Sequence, residues 1–341
     1  MDLGAEDARR LQDALRRMRL VQADETARLT QLTGGVSSLI VRADTARGAM
    51  CVKQALPQLK VAALWEAPVE RNRAEVAWMR IAERIVPGCV PAILGEDAQD
   101  NTFAMQWLSP GDYPIWKAQL QGGTADTATA QAVGRNLAAI HAATAGDAAL
   151  ARSFAHDAGF YAIRLEPYFV ETARKHPDCA AALHGLVRTT ANTKLALVHG
   201  DISPKNILVG PVHGGGKTAH PVFLDAECAW YGDPAFDIAF CLNHLLLKCV
   251  WRPDTSAGFL ACFDTLSAAY LAGVTWEALA QLEARAAALL AGMLLARIDG
   301  KSPVEYITTD GDRDRVRRFA IPLLLQPARR LSEIRQRWSA A

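Results

Sequence analysis

The stretch Leu197-Val-His-Gly-Asp-Ile-Ser-Pro-Lys-Asn-Ile-Leu-Val209 constrains this chain more than any other. A short apolar strand delivers His199-Gly200-Asp201. Asn206 follows five residues after the aspartate, and a second apolar strand begins at once. Further on, Val222-Phe-Leu-Asp-Ala-Glu227 reads as a strand that ends in two carboxylates with one residue between them. An Asp and an Asn at this separation on one loop can face a common point from two sides, and Asp225 approaches the same point from the neighbouring strand. Carboxylate and amide oxygens are hard ligands, suited to Mg²⁺. Mg²⁺ needs only one or two carboxylates when substrate phosphates supply the rest. Asn206, Asp225 and Glu227 are therefore the candidate metal ligands. Asp201 is left to accept or orient a hydroxyl that attacks a γ-phosphate. Either aspartate alone would be an ordinary turn residue; the spacing of the set points to phosphoryl transfer.

Such a loop needs a scaffold. The chain has 341 residues, half of them apolar, which is enough for a sizeable core and for about two domains. Its 37 basic and 36 acidic residues leave a net charge of +1. That lacks the basic excess of a nucleic-acid binder, so no nucleic-acid partner is expected. The longest uncharged apolar run lies between Arg285 and Arg297, too short for a bilayer that needs about 20 residues, so no membrane partner is expected. The N-terminal stretch MDLGAEDARRLQDALRRMRL has no apolar core of a secretory signal. The seven cysteines are odd in number and form no CxxC, which predicts buried free thiols and a cytoplasmic location.

Periodicity predicts a leading helix from Glu6 to Leu20, then strands over Ala27–Leu32, Ser38–Arg42 and Ala49–Gln54 as an antiparallel meander. A helix over Val69–Arg84 and strands over Ala92–Gly95 and Thr102–Trp107 follow. After Ser109-Pro110-Gly111 the pattern turns helical: Gln131–Ala143, Glu166–Lys175, Asp178–Asn192, Pro234 onward, and the alanine-rich Trp276–Ile298. A β-like island over Leu195–Val198, Ile207–Val209 and Val222–Leu224 interrupts it. The expected class is α+β: a strand-rich lobe over 1–107, with its leading helix in 1–24, and a mainly helical lobe over 108–341. The hinge is placed near Gln106–Pro110.

The segments His199-Gly-Asp-Ile-Ser-Pro-Lys-Asn206 and Asp225-Ala-Glu-Cys-Ala-Trp-Tyr-Gly-Asp-Pro-Ala-Phe-Asp237 resemble the aminoglycoside phosphotransferase and choline kinase superfamily, small-molecule kinases with a protein-kinase-like two-lobe fold. The resemblance spans about residues 27–300. It implies ATP and Mg²⁺ as cofactors, Asp201 as the catalytic aspartate, and Asn206 and Asp225 as Mg²⁺ ligands. Such a kinase also needs a phosphate-covering turn, a strand lysine and a helix glutamate. Thr33-Gly34-Gly35-Val36-Ser37-Ser38 sits between two strands as that turn should, although the protein-kinase GxGxxG spacing is absent. Lys53, in Cys51-Val-Lys53, fits the phosphate-binding lysine. Glu75 fits its partner, with Glu70 as a competitor. The backbone from Gln106 to Leu108 would offer adenine one donor and one acceptor.

Other features take structural readings. Gly214-Gly-Gly-Lys-Thr218 looks like the end of a P-loop, but Pro211 stands where its first glycine must be, and a strand follows rather than a helix. His199 is read as ordering the catalytic loop, Asp237 as a buried link to it, and Asp233 before Pro234 as a helix cap. Charges at Arg297 and Asp299 end a long helix and read as surface or capping groups. The acceptor contacts are the least defined; Trp230, Tyr231, Asp157, Tyr161, Arg164, Arg297 and Asp299 are candidates by position. The expected activity is ATP-dependent phosphorylation of a hydroxyl on a small metabolite, a sugar or an amino alcohol. Val52-Lys-Gln-Ala-Leu-Pro57 and the Asp225/Glu227 pair resemble methylthioribose kinases, whereas Asn206 and Asp233-Pro234 follow the general superfamily pattern. The alternatives are an aminoglycoside O-phosphotransferase and a catalytically silent nucleotide-binding pseudokinase. A protein kinase is disfavoured because only a few residues separate Asp225 from the Gly232-Asp-Pro-Ala-Phe-Asp237 helix start.

Overall fold

The computed structural model of the chain describes residues 3–32, 38–55, 71–211 and 220–340. They divide into two units, Met1–Asp112 and Tyr113–Ala341.

In the first unit, β1 (Arg28–Gln31), β2 (Ser38–Thr45), β3 (Gly48–Ala55), β4 (Ile93–Asp97) and β5 (Thr102–Gln106) form one antiparallel sheet in the order β1-β2-β3-β5-β4. The expected meander is its first three strands. Side chains alternate across a strand, so β3 assigns the two faces. Met50 and Val52 join Leu39, Val41, Ala43 and Ala104 in a core against Leu11 and Leu15 of α1 (Ala5–Arg17). Cys51 and Lys53 point to the opposite face, toward α2 (Arg71–Ile85). The leading helix stops short of its expected end: Arg19 takes a left-handed φ of 58°, which no helix can contain. Glu6 and Asp7 at its start and Arg16 and Arg17 at its end complement the helix dipole. Arg17 also reaches Asp97 of β4 at 2.6 Å.

The second unit is mainly helical. It runs through α3 (Trp116–Gln121), α4 (Thr127–Thr144), α5 (Ala148–Ser153), α6 (Asp157–Phe160), a π-helix (Tyr161–Val170), α7 (Glu171–Lys175) and α8 (Ala180–Asn192). After the β-island come α9 (Ala235–Trp251), α10 (Ser256–Leu271), α11 (Leu279–Asp299), α12 (Asp310–Leu325) and α13 (Leu331–Ala340). The island itself is two short antiparallel ladders. One pairs β6 (Ala196–Val198) with β9 (Trp230–Gly232). The other pairs β7 (Ile207–Gly210) with β8 (His220–Phe223).

Helix α9 is the centre of this unit, and every residue from Ala235 to Val250 is buried. A helix apolar on all sides belongs inside. The sequence pattern placed a helix over Glu166–Lys175, but the helical path begins at Asp157 and is π-type from Tyr161 to Val170. Pro167 is the reason: it has no N–H for the carbonyl of Ile163, four residues back. The Arg164 guanidinium takes that carbonyl instead, at 3.0 Å. By length and composition α11 is long enough to cross a bilayer, longer than the apolar run between its arginines suggested. Its residues from Leu289 to Ile298 are buried, and it packs against α9 and α12. All seven cysteines are buried free thiols.

Candidate active site

The loop after β6 is shaped by one buried carboxylate. Asp237, on the first turn of α9 and fully buried, accepts the backbone N–H of His199 and of Gly200, both at 2.8 Å. His141 of α4 meets the same carboxylate at 3.2 Å and Tyr270 of α10 at 2.8 Å. Three helices thus fix where the strand ends. His199 accepts the N–H of Asp201 on Nδ1 and donates from Nε2 to the carbonyl of Leu224, at 3.1 Å each. It ties the loop to the segment that carries Asp225. Burial pushes this imidazole below its usual range, so it acts as a neutral strut. Gly200 sits at φ 81°, and a Cβ there would lie 2.8 Å from the carbonyl of Cys228.

Asp201 emerges next to two cations. Arg164 approaches Oδ2 at 3.0 Å and Lys205 approaches it at 3.4 Å. Arg164 is nearly buried and also donates from Nε to the Gly200 carbonyl at 2.6 Å, so the π-helix delivers one side chain to both neighbours of the turn. The Asp201 carboxylate is the first cause of an upward shift of the Lys205 ammonium.

Asn206 donates from Nδ2 to the Asp201 carbonyl at 3.1 Å, which turns its amide oxygen away from that carbonyl. Its own carbonyl accepts the N–H of Leu224 at 2.9 Å, and Ile207 pairs with Phe223. This register sets Leu224, the residue before Asp225, opposite Asn206. Asp225 adopts a left-handed φ of 67°, an uncommon conformation for a residue with a side chain. Glu227 lies in the following turn, half-buried. The donor set is one amide oxygen and two carboxylates, which suits Mg²⁺ with phosphate ligands. Among the described residues no three His, Cys, Asp or Glu side chains form a closed cluster that would hold a metal by themselves.

In the first unit Lys53 and Glu75 form a buried pair, with Nζ 2.7 Å from Oε2 and 3.0 Å from Oε1. The competitor Glu70 lies outside the described residues, as do Gly34, Gly35 and Ser37 of the glycine turn and the Gly214–Thr218 segment. Ser38 opens β2, buried, and its hydroxyl has no hydrogen-bond partner among the described residues. The N–H of Gln106 is taken by the Ala92 carbonyl, so it has no donor to offer a base; Leu108 follows outside the strand.

The acceptor candidates scatter. Trp230 is buried on β9, stacked on Phe160 with centroids 4.2 Å apart, and donates its indole N–H to Asp157. Tyr231 is also buried and reaches the Leu195 carbonyl. Asp157 is exposed and paired with Lys194. Asp299 binds His176 and Arg317. Arg297 differs from the surface residue expected of a helix end: it is buried and donates to Ser302 and to the Tyr168 hydroxyl. Two cations stand next to Asp201, of which Arg164 was named from the sequence only as a candidate acceptor contact. Lys205 stands inside the motif, but nothing in its spacing tells it from a solvated lysine. Arg164 is brought in by the π-turn around Pro167, which its candidacy by position did not foresee.

Residues 28–282 match the model of the phosphotransferase enzyme family, which covers well over half of the chain, and the protein belongs to that family. It is a phosphotransferase with an α+β fold. Solved structures agree on the fold. A Thermobifida fusca YX-ER1 protein proposed to be a fructosamine-3-kinase is 21% identical with a TM-score of 0.50, over 92% of this chain and 98% of that one. An ethanolamine kinase from Plasmodium vivax is 12% identical with a TM-score of 0.53, over 91% and 85%. An aminoglycoside phosphotransferase from Alicyclobacillus acidocaldarius is 14% identical with a TM-score of 0.50, over 100% and 98%. Comparison with curated proteins gave no significant match.

Proposed function

We propose that the protein is an ATP- and Mg²⁺-dependent kinase that transfers the γ-phosphate to a hydroxyl of a small metabolite. The observation that carries this reading is the loop 199–206, where one carboxylate stands beside two cations while strand pairing sets Leu224, the residue before Asp225, against Asn206. In it Asp201 orients the attacking hydroxyl and takes its proton. Asn206 and Asp225, with Glu227 beyond them, would hold Mg²⁺, which would neutralise phosphate charge when bound. Lys53, held by Glu75, serves the α- and β-phosphates, and Gly34, Gly35, Ser37 and Ser38 are the proposed phosphate-covering turn. The structural neighbours are named for fructosamine, ethanolamine and aminoglycoside phosphorylation, which supports a small-molecule acceptor. A sugar such as methylthioribose or an amino alcohol fits that range.

Saturating Mg-ATP, at about 100 times its dissociation constant, should stabilise the fold by roughly 2.7 kcal/mol. A thermal scan without any upward shift would contradict the nucleotide site. Asp201→Asn should lower kcat by about 10²-fold or more while leaving the Mg-ATP shift in place. Unchanged turnover in this variant would remove Asp201 from its role.

A further inference from the structure

Beside the 199–206 loop, the second unit contains a small hollow of about 30 Å³, lined by Lys117, Ser203, Lys205, His244, Lys248, Arg297 and their neighbours Pro204, Glu305 and Tyr306. Four cations and one carboxylate surround it. Lys117 pairs with Glu305, and Lys205 pairs with Asp201. Arg297 has only neutral partners, Tyr168 and Ser302, and its Nε has none among the described residues. Lys248 is 1% exposed and has no hydrogen bond or ion pair among the described residues. Ser203 Oγ and His244 Nε2, both buried, also have no partner there.

A purely structural role for Lys248 is the competing explanation. Its ammonium lies 4.7 Å from the Trp251 ring and 4.3 Å from the Tyr306 ring. Cation–π contacts of this kind are weaker than the desolvation penalty of a buried ammonium, so they do not account for its burial. Burial, with Lys117 nearby and only partly offset by Glu305, pushes this lysine down to about 7.

We propose that this hollow receives an anionic group of the acceptor, a carboxylate or a phosphate, with Lys248 and Arg297 as its charge partners and the acceptor hydroxyl presented to Asp201. This rests on the kinase reading above and deepens it. Lys205 is the spatial link, since it lines the hollow and contacts Asp201. A polycationic acceptor such as an aminoglycoside is disfavoured at this face by charge.

The test begins with the nucleotide. Absence of a thermal shift with Mg-ATP would defeat the kinase reading itself. With the nucleotide site saturated by a non-hydrolysable Mg-ATP analogue, millimolar inorganic phosphate should raise the melting temperature above a sodium chloride control of equal ionic strength. Lys248→Met should abolish that increment, and Arg297→Met should reduce it. No increment in the parent protein, or an equal one in Lys248→Met, overturns the anion site. In turnover assays, gluconate against glucose and ribose 5-phosphate against ribose separate a carboxylate from a phosphate. The anionic member of a productive pair should lead by roughly tenfold or more in kcat/KM, as for one charge-assisted hydrogen bond. Preference for the neutral member overturns the proposal.

Discussion

Gly200 shows how a single residue can be decided by its surroundings. Its left-handed φ lets the chain turn directly from the N–H groups held by Asp237 to the carboxylate of Asp201. An added Cβ would also meet the backbone of Cys228 and the ring of Phe160 at 3.2 Å, and the backbone cannot yield as a flexible side chain would. Gly200→Ala should therefore cost at least about 2 kcal/mol, strain and overlap together, and lower turnover with it. Equal melting temperatures for the parent and this variant would contradict the geometry. The His-Gly-Asp spelling was plain in the sequence, but the reason for its middle letter was not. It depends on Cys228, which is distant along the chain.

At the scale of elements, strand β3 and helix α2 are joined through Lys53 and Glu75, each buried on the face away from α1. Removing one member of a buried ion pair costs about 3–5 kcal/mol, whereas replacing both by apolar or neutral groups is often close to neutral. Lys53→Met should accordingly lower the melting temperature by several degrees. Adding Glu75→Gln should recover part of it, and full additivity of the two losses would mean the residues do not act as a pair. The lysine was legible because its strand is apolar on both sides. Its partner was less so, since Glu70 and Glu75 both precede or sit on the same predicted helix, and sequence spacing alone does not choose between them. The π-helix was the least legible element. Its hydrogen bonds shift by one residue at Pro167, and only the placement of Arg164 shows what the shift achieves.

For the whole molecule, buried titratable groups set the response to pH. Burial lowers His199 and lowers His244 further, from an ordinary value of 6.5. Unfolded chains take up these protons near 6.5, while the folded protein resists until lower pH. Stability from the two imidazoles is thus fully present above the unfolded value and is lost as pH falls toward the folded ones. Thermal scans from about pH 7.5 to about pH 5.5 should show a declining melting temperature. A flat profile would show that these rings are not held neutral. The same whole-molecule view relates the hollow at Lys248 to α9: a helix buried along nearly its full length still carries a lysine, and His244 one turn before it faces the same space.

The local pattern of this chain was sufficient for its α+β class, the antiparallel meander, the helical remainder and the phosphotransferase family, because strand alternation, turn residues and the short motif are properties of neighbours in sequence. Tertiary structure alone decided which charges stand beside Asp201, why Arg297 is buried, and where cations lack counter-charges. Those outcomes depend on close approach of distant segments, where desolvation and the few available hydrogen-bond partners determine what each side chain can do.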